Sequence, residues 1–315
     1  MAKVNHLVYA LFEVKDLDKW RGFIPLLYGL ELKPSPQPDE YEVVIDDAGY
    51  RLIFRQGPAD DIVCVGWFTE ELDGMKTRLD EFGAQANWMD ATYTKMRGAG
   101  RILQTEDPTG LLVDIVDRTA SHNAFTESSH DHTYVTGGLG FGHLTFASED
   151  HEGFERFYTE ALGLKTTDYN SVDLIAGLSV KVGFYRTNAR HHSIACATLA
   201  APGQRLNHFF LEVTQRGMVD AAYKRVTDAK VPIAHRIGVH PNDNLYTFYA
   251  LSPSGFQAEL GTEGRLVEDD HDIEYVKGMS VWGHEMPLAQ KLRMAKLATR
   301  AIGRQFSARL SSASK

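Results

Sequence analysis

Two histidines and one glutamate stand in short apolar runs where this chain could do chemistry. His143 lies in Leu139-Gly-Phe-Gly-His-Leu-Thr-Phe-Ala147. His208 lies in Leu206-Asn-His-Phe-Phe-Leu-Glu-Val213, and Glu259 in Gly255-Phe-Gln-Ala-Glu-Leu260. Read as strands, whose side chains alternate between faces, the three runs have the same phase. His143 shares a face with Thr145 and Ala147, His208 with Phe210 and Glu212, and Glu259 with Gln257. The opposite faces are apolar and suit packing beneath helices. Two neutral imidazoles and a carboxylate form the facial triad suited to non-haem iron(II), with one side of the ion left open. Taken singly, each is an ordinary strand residue: such a histidine is usually satisfied or at the surface, and such a glutamate solvated.

The elements that must position these residues repeat along the chain. Residues 20–30, WRGFIPLLYGL, align with 154–164, FERFYTEALGL. The apolar spacing is helical, and Gly29 and Gly163 fall where a helix ends. Asp107-Pro-Thr-Gly110 matches Ser252-Pro-Ser-Gly255, a turn before a strand-like run. The offsets are 134 and 145, so the halves differ by loop insertions. A strand, a helix and several strands recur about twice per half, which predicts α+β domains of two βαβββ units each. Aligned on Gly74-Met and Gly217-Met, His208 falls opposite Val65 and Glu259 opposite Asp114. The first half thus lacks the triad, although His6 sits in a strand-like run. The expected division is an N-terminal domain over 1–132 that has lost its metal site, a catalytic metal-binding domain over 133–286, and a basic C-terminal helix or tail over 287–315. The polar residues near 128–133 suit a linker.

Composition narrows the function classes. At 315 residues, 43% hydrophobic and 24% charged, the chain has the balance of an ordinary soluble protein with two packed cores. No apolar stretch approaches the roughly 20 residues of a membrane helix, and the first residues lack an apolar signal core. The expectation is a cytoplasmic protein without a membrane partner. Cys64 and Cys196 are its two cysteines, read as reduced core residues. The net charge of −9 argues against nucleic acid. Residues 286–315 carry seven Lys/Arg and no acid, leaving −16 on the rest. That tail reads as a solvated end or as a helix docked on an acidic neighbour subunit.

With these residues in view, the chain resembles the two-domain extradiol ring-cleavage dioxygenases of the vicinal oxygen chelate superfamily, 2,3-dihydroxybiphenyl dioxygenase-like. The likeness runs from Val4 to Pro287. It is carried by Gly140-Phe-Gly-His143, Asn188-Ala-Arg-His-His192, Asn207-His208, Gly238-Val-His240-Pro-Asn-Asp243 through Phe248-Tyr249, Ser252-Pro-Ser-Gly-Phe-Gln-Ala-Glu259 and Trp282-Gly-His284. The resemblance implies two tandem vicinal-oxygen-chelate domains, each a partly open barrel of two βαβββ modules. It implies Fe(II), or Mn(II), held by His143, His208 and Glu259. It implies His192 as acid–base, with His240, Asp243 and Tyr249 bonding substrate or supporting the site. Phe184 and Asn242 match positions near the ring pocket. Two positions bear on pocket shape: Pro241 stiffens the His240 loop, and Leu199 stands where relatives often place an aromatic.

The implied reaction is extradiol cleavage of a catechol, of bicyclic or biaryl type, with both atoms of O2 incorporated, in a homo-oligomer. Two rivals come from other classes. A glyoxalase-like isomerase or epoxide-opening transferase needs an electrophilic metal but no oxygen, and no set like His192, His240 and Tyr249. A non-enzymatic small-molecule binder needs no triad.

Overall fold

The computed structural model describes every residue except 1, 36, 47–48, 118–132, 176–177, 199–203 and 294–315. Nearly all of the expected linker, Leu199 and most of the basic tail therefore lie outside the described residues. Of the tail, residues 288–293 are helical.

The N-terminal half runs β1 (His6–Val14), α1 (Leu17–Tyr28), β2 (Lys33–Pro34), β3 (Glu40–Val44) and β4 (Arg51–Gln56). It continues with β5 (Asp61–Phe68), α2 (Leu72–Phe82), β6 (Asn87–Trp88), a short α3 (Ala91–Met96), β7 (Ile102–Glu106) and β8 (Leu112–Val116). The C-terminal half repeats the pattern. Its first unit is β9 (Gly142–Ala147), α4 (His151–Arg156), β10 (Lys165–Ile175), β11 (Leu178–Arg186) and β12 (Ile194–Ala197). Its second is β13 (Leu206–Glu212), α5 (Arg216–Asp228), β14 (Ile233–Val239), β15 (Tyr246–Leu251) and β16 (Gln257–Thr262). Two short strands follow, β17 (Glu274–Lys277) and β18 (Trp282–Gly283).

These are four βαβββ modules in two sheets, of order β2-β3-β4-β1-β5-β8-β7-β6 and β17-β10-β11-β12-β9-β13-β16-β15-β14-β18. In each module the last strand pairs in parallel with the first. The first strands of the two modules in a half pair antiparallel, β1 with β5 and β9 with β13. The α+β architecture expected from the repeat is the one observed. Helix α1 starts where Asp16 accepts the Lys19 amide at 3.1 Å. It ends at Gly29, whose φ of 70° suits glycine.

The halves share a core. Phe12 of β1 meets Phe209 of β13 at 5.2 Å between ring centroids, and Trp20 of α1 lies 4.8 Å from Phe54 and 5.6 Å from Phe256. All five are buried, and each large apolar side chain buried is worth about 1.5–3 kcal/mol. Phe209 is on the apolar face of β13, so this cluster fixes the strand from behind while His208 faces the other way. Tyr28 at the end of α1 donates to the main-chain oxygen of Glu259 at 3.2 Å. The N-terminal half thus braces a strand of the candidate site.

Strand register corrects one sequence equivalence. Phe210 pairs with both His143 and Glu259, and Gly66 pairs with both Tyr9 and Asp114. Glu259 therefore corresponds to Asp114, as expected. His208, two residues before Phe210, corresponds to Cys64 rather than Val65, and His143 corresponds to Tyr9. The alignment slipped because Gly66 and Gly74 are eight positions apart, whereas Phe210 and Gly217 are seven apart. A one-residue slip exchanges the faces of a strand.

Candidate metal centre

His143, His208 and Glu259 come from the three adjacent central strands β9, β13 and β16, and their side chains converge. His143 Nε2 lies 3.2 Å from His208 Nε2 and 3.1 Å from Glu259 Oε2, and His208 Nε2 lies 3.3 Å from Glu259 Oε2. Three donors about 2.1 Å from one ion, at right angles to each other, would stand roughly 3.0 Å apart. The outer bonds fit the same reading. Asn207 Oδ1 is 2.9 Å from His208 Nδ1, which holds the proton there and leaves the Nε2 lone pair pointing inward. Thr247 donates to Glu259 Oε1 at 2.9 Å, leaving Oε2 for the cluster. Gly142 lets the strands approach at His143: its φ is 153°, and a Cβ there would lie 1.9 Å from the Phe210 carbonyl oxygen.

The electrostatics favour a cation. Burial holds His208 down to about 3, outweighing the attraction of Glu259. Burial pushes Glu259 up, but His143, His240 and His208 outweigh it and hold the carboxyl well below its ordinary range. His208 is thus a neutral imidazole beside an ionised carboxylate, and with His143 they make a two-histidine, one-carboxylate donor set that fits a divalent ion.

Beside this triad lies a second buried group. The His192 ring is 4.0 Å from that of His143 and 4.8 Å from Phe184. Burial first, then the His143, His191, His208 and Arg190 side chains, hold His192 well below 6.5. His191 is as buried as His192, at 2% and 3% exposed. Asp243 Oδ2 is 3.9 Å from His192 Nδ1. His240 Nε2 is 2.7 Å from the Tyr249 hydroxyl, and its Nδ1 donates to the Met279 carbonyl at 2.7 Å. Burial lowers His240, but Glu259, Asp243 and that carbonyl prevail and raise it. Burial and then Glu259 push Tyr249 well above 10. Asn242 is buried in the same turn, where its carbonyl accepts from Arg265 at 3.4 Å. Sequence reasoning gave no role to Asn207, Thr247, Asp168 or Phe210. Asn207 and Thr247 were legible only as neighbours of a ligand in chain or strand.

The equivalent place in the N-terminal half is built differently. Tyr9 and Tyr93 donate to Asp114 Oδ2 at 2.5 and 2.8 Å, and Gln104 donates to Oδ1 at 2.8 Å. Gly66 makes this possible, since a Cβ there would sit 2.4 Å from the Tyr9 ring. A cavity of about 440 Å³ opens beside Tyr93, Gln104 and Cys64, away from the triad. Donor chemistry, not volume, marks the candidate metal centre.

Comparison with known proteins decides among the classes that the geometry allows. Residues 140–260 match the Glyoxalase/Bleomycin resistance protein/Dioxygenase superfamily. Over 299 residues, 93% of this chain and 97% of the relative, the sequence is 30% identical to a biphenyl-2,3-diol 1,2-dioxygenase of Metapseudomonas furukawaii. The chain belongs to the extradiol dioxygenase family. A 3-methylcatechol 2,3-dioxygenase of Pseudomonas putida is 31% identical over 90% of this chain and 98% of its own. A crystal structure of catechol 2,3-dioxygenase superposes with a TM-score of 0.81, at 26% identity, over 91% of this chain and 96% of that one. As an extradiol dioxygenase the protein is an oxidoreductase that uses a catalytic divalent metal. The isomerase and binder readings fall away. Among the described residues no helix is long and apolar enough to cross a membrane.

Proposed function

We propose that the chain is an Fe(II) extradiol dioxygenase for a bicyclic or biaryl catechol, working in the C-terminal half. His143, His208 and Glu259 are the ligands. The observation that carries this reading is the mutual spacing of their three donor atoms, 3.1–3.3 Å. The N-terminal half, with Asp114 engaged by three protein donors, acts as support. Bound at the triad, iron would supply Lewis acidity toward the catechol oxygens and electrons toward O2.

The chain's own groups do the rest. His192, neutral near pH 7, accepts a catechol proton at Nε2 and returns it to the departing oxygen. His240, when charged, donates from Nε2 to the Tyr249 oxygen. The Tyr249 hydroxyl is then free to donate to a substrate oxygen and hold it in register. Phe184 packs edge-on to His192 and limits how the ring can tilt. Asp243 and Asn242 fix the turn that carries His240. Support for a two-ring catechol comes from the activity named for the biphenyl-diol relative.

The test is a panel of 2,3-dihydroxybiphenyl, 1,2-dihydroxynaphthalene and 3-methylcatechol, run on Fe(II)- and Mn(II)-loaded protein with metal content measured. The reading expects the highest kcat/KM with Fe(II) and a two-ring substrate. Preference for 3-methylcatechol, or activity with Mn(II) alone, would reject the substrate or the metal respectively.

A further inference from the structure

Two buried polar side chains behind His192 have no part in the chemistry above. Asp168 lies on β10, fully buried, opposite Phe184 in the sheet. Its Oδ2 is 3.0 Å from His191 Nε2, and His191 Nδ1 is 3.1 Å from His192 Nδ1. Thr167 holds the main chain of His191 through its carbonyl oxygen at 2.7 Å. Carboxylate and two imidazoles thus form one buried row that ends beside the triad.

Hydrogen-bond polarity along this row has a direction. A carboxylate only accepts, so a His191 with one ring proton holds it on Nε2 and keeps its lone pair on Nδ1. Two Nδ1 atoms 3.1 Å apart bond only if one carries a proton and the other does not. His192 must therefore carry its proton on Nδ1. The Asp243 carboxylate, 3.9 Å from the same nitrogen, pulls the same way. The lone pair of neutral His192 is then on Nε2, the nitrogen needed for accepting a substrate proton.

We propose that Asp168, acting through His191, fixes the tautomer of His192 so that Nε2 is the proton acceptor at the active site. Asp168 and His191 are positioning residues. The functional importance of this device rests on the acid–base reading of His192, but the tautomer itself does not. Left alone, an imidazole side chain favours its proton on Nε2, which would present a donor where an acceptor is needed. Outer partners of this kind cost about 10–100-fold in activity when removed.

The test uses metal-free protein with ¹⁵N-labelled histidine, the His192 signals being assigned by their loss in His192→Phe. NMR should show a protonated Nδ1 and a bare Nε2 on His192. In Asp168→Leu the proton should move toward Nε2, with kcat of the iron-loaded enzyme falling about 10–100-fold and KM changing little. Asp168→Asn should restore both the tautomer and most of kcat. Its amide oxygen still accepts from His191, and no other partner fixes its orientation, because Asp168 Oδ1 bonds to nothing. Protonated Nε2 in the unsubstituted protein overturns the proposal whether or not any variant folds. An unchanged tautomer in Asp168→Leu overturns it too. The tautomer is read without turnover, so a failure of His192 as acid–base would appear separately, as normal turnover in His192→Phe.

Discussion

In the proposed reaction, His192 is the residue on which the proton chemistry turns. Its ring lies 4.0 Å from that of His143, tilted by 34°, yet it is not one of the three converging donors, and its burial keeps it neutral. His192→Phe keeps the bulk and removes the proton carrier. Metal content and catechol binding should stay near normal, while turnover measured by oxygen uptake falls about 10²–10⁴-fold. His191→Phe should now cost more than a surface substitution, since His191 is buried and bonded to its neighbour. The residue types at 143, 208, 259, 192, 240 and 249 were legible in the sequence, and the structure brings them together. Asp168 was not, because it stands 23 positions before His191 and meets it only through the pairing of β10 with β11.

At the level of elements, alternation along β9, β13 and β16 was enough to say which side chains share a face. The repeat was enough to find four modules. What sequence could not fix was register: the shorter connection between β13 and α5 moved the alignment by one residue. Only the sheet pairs Cys64 and Tyr9 with the triad positions. The structural consequence is a carboxylate satisfied by Tyr9, Tyr93 and Gln104. Asp114→Ala should therefore leave the metal content at one ion per chain, measured by elemental analysis. It should also lower stability by about 1–3 kcal/mol for each buried donor left without a partner, measured by denaturant unfolding. His208→Ala should do the reverse and abolish tight metal binding. Loss of metal from Asp114→Ala would place a site in the N-terminal half.

The whole molecule carries an unusual load of buried neutral histidines. Burial holds His6 and His235 down to about 4 and His284 to about 3. In the unfolded chain each would titrate near 6.5. Between those values the unfolded chain binds more protons, so stability rises with pH there. Their contribution is complete above 6.5 and is lost as pH falls toward 3–4, at up to about 1.4 kcal/mol per pH unit for each histidine. His240 is raised and works in the opposite sense, but it is one group against these three, and His192 and His208 are lowered as well. Metal-free protein should thus lose several kcal/mol between pH 6.5 and 4.5, with proton uptake on unfolding, as read by thermal melts in several buffers. A flat profile over that range would contradict the burial pattern.

The same packed interior joins the halves through Phe12, Trp20 and Phe209 and braces Glu259 from α1. That frame has one claimed purpose: to hold a single iron site that opens a catechol ring beside its hydroxyl pair. The direct measurement is a single turnover. Iron-loaded protein is mixed anaerobically with 2,3-dihydroxybiphenyl, oxygen is admitted, and oxygen consumption and product are followed together. The account predicts one O2 consumed per catechol and a yellow product cleaved outside the two hydroxyl carbons. A fully loaded protein that binds the catechol yet consumes no oxygen, or that cleaves between the hydroxyl carbons, would contradict it.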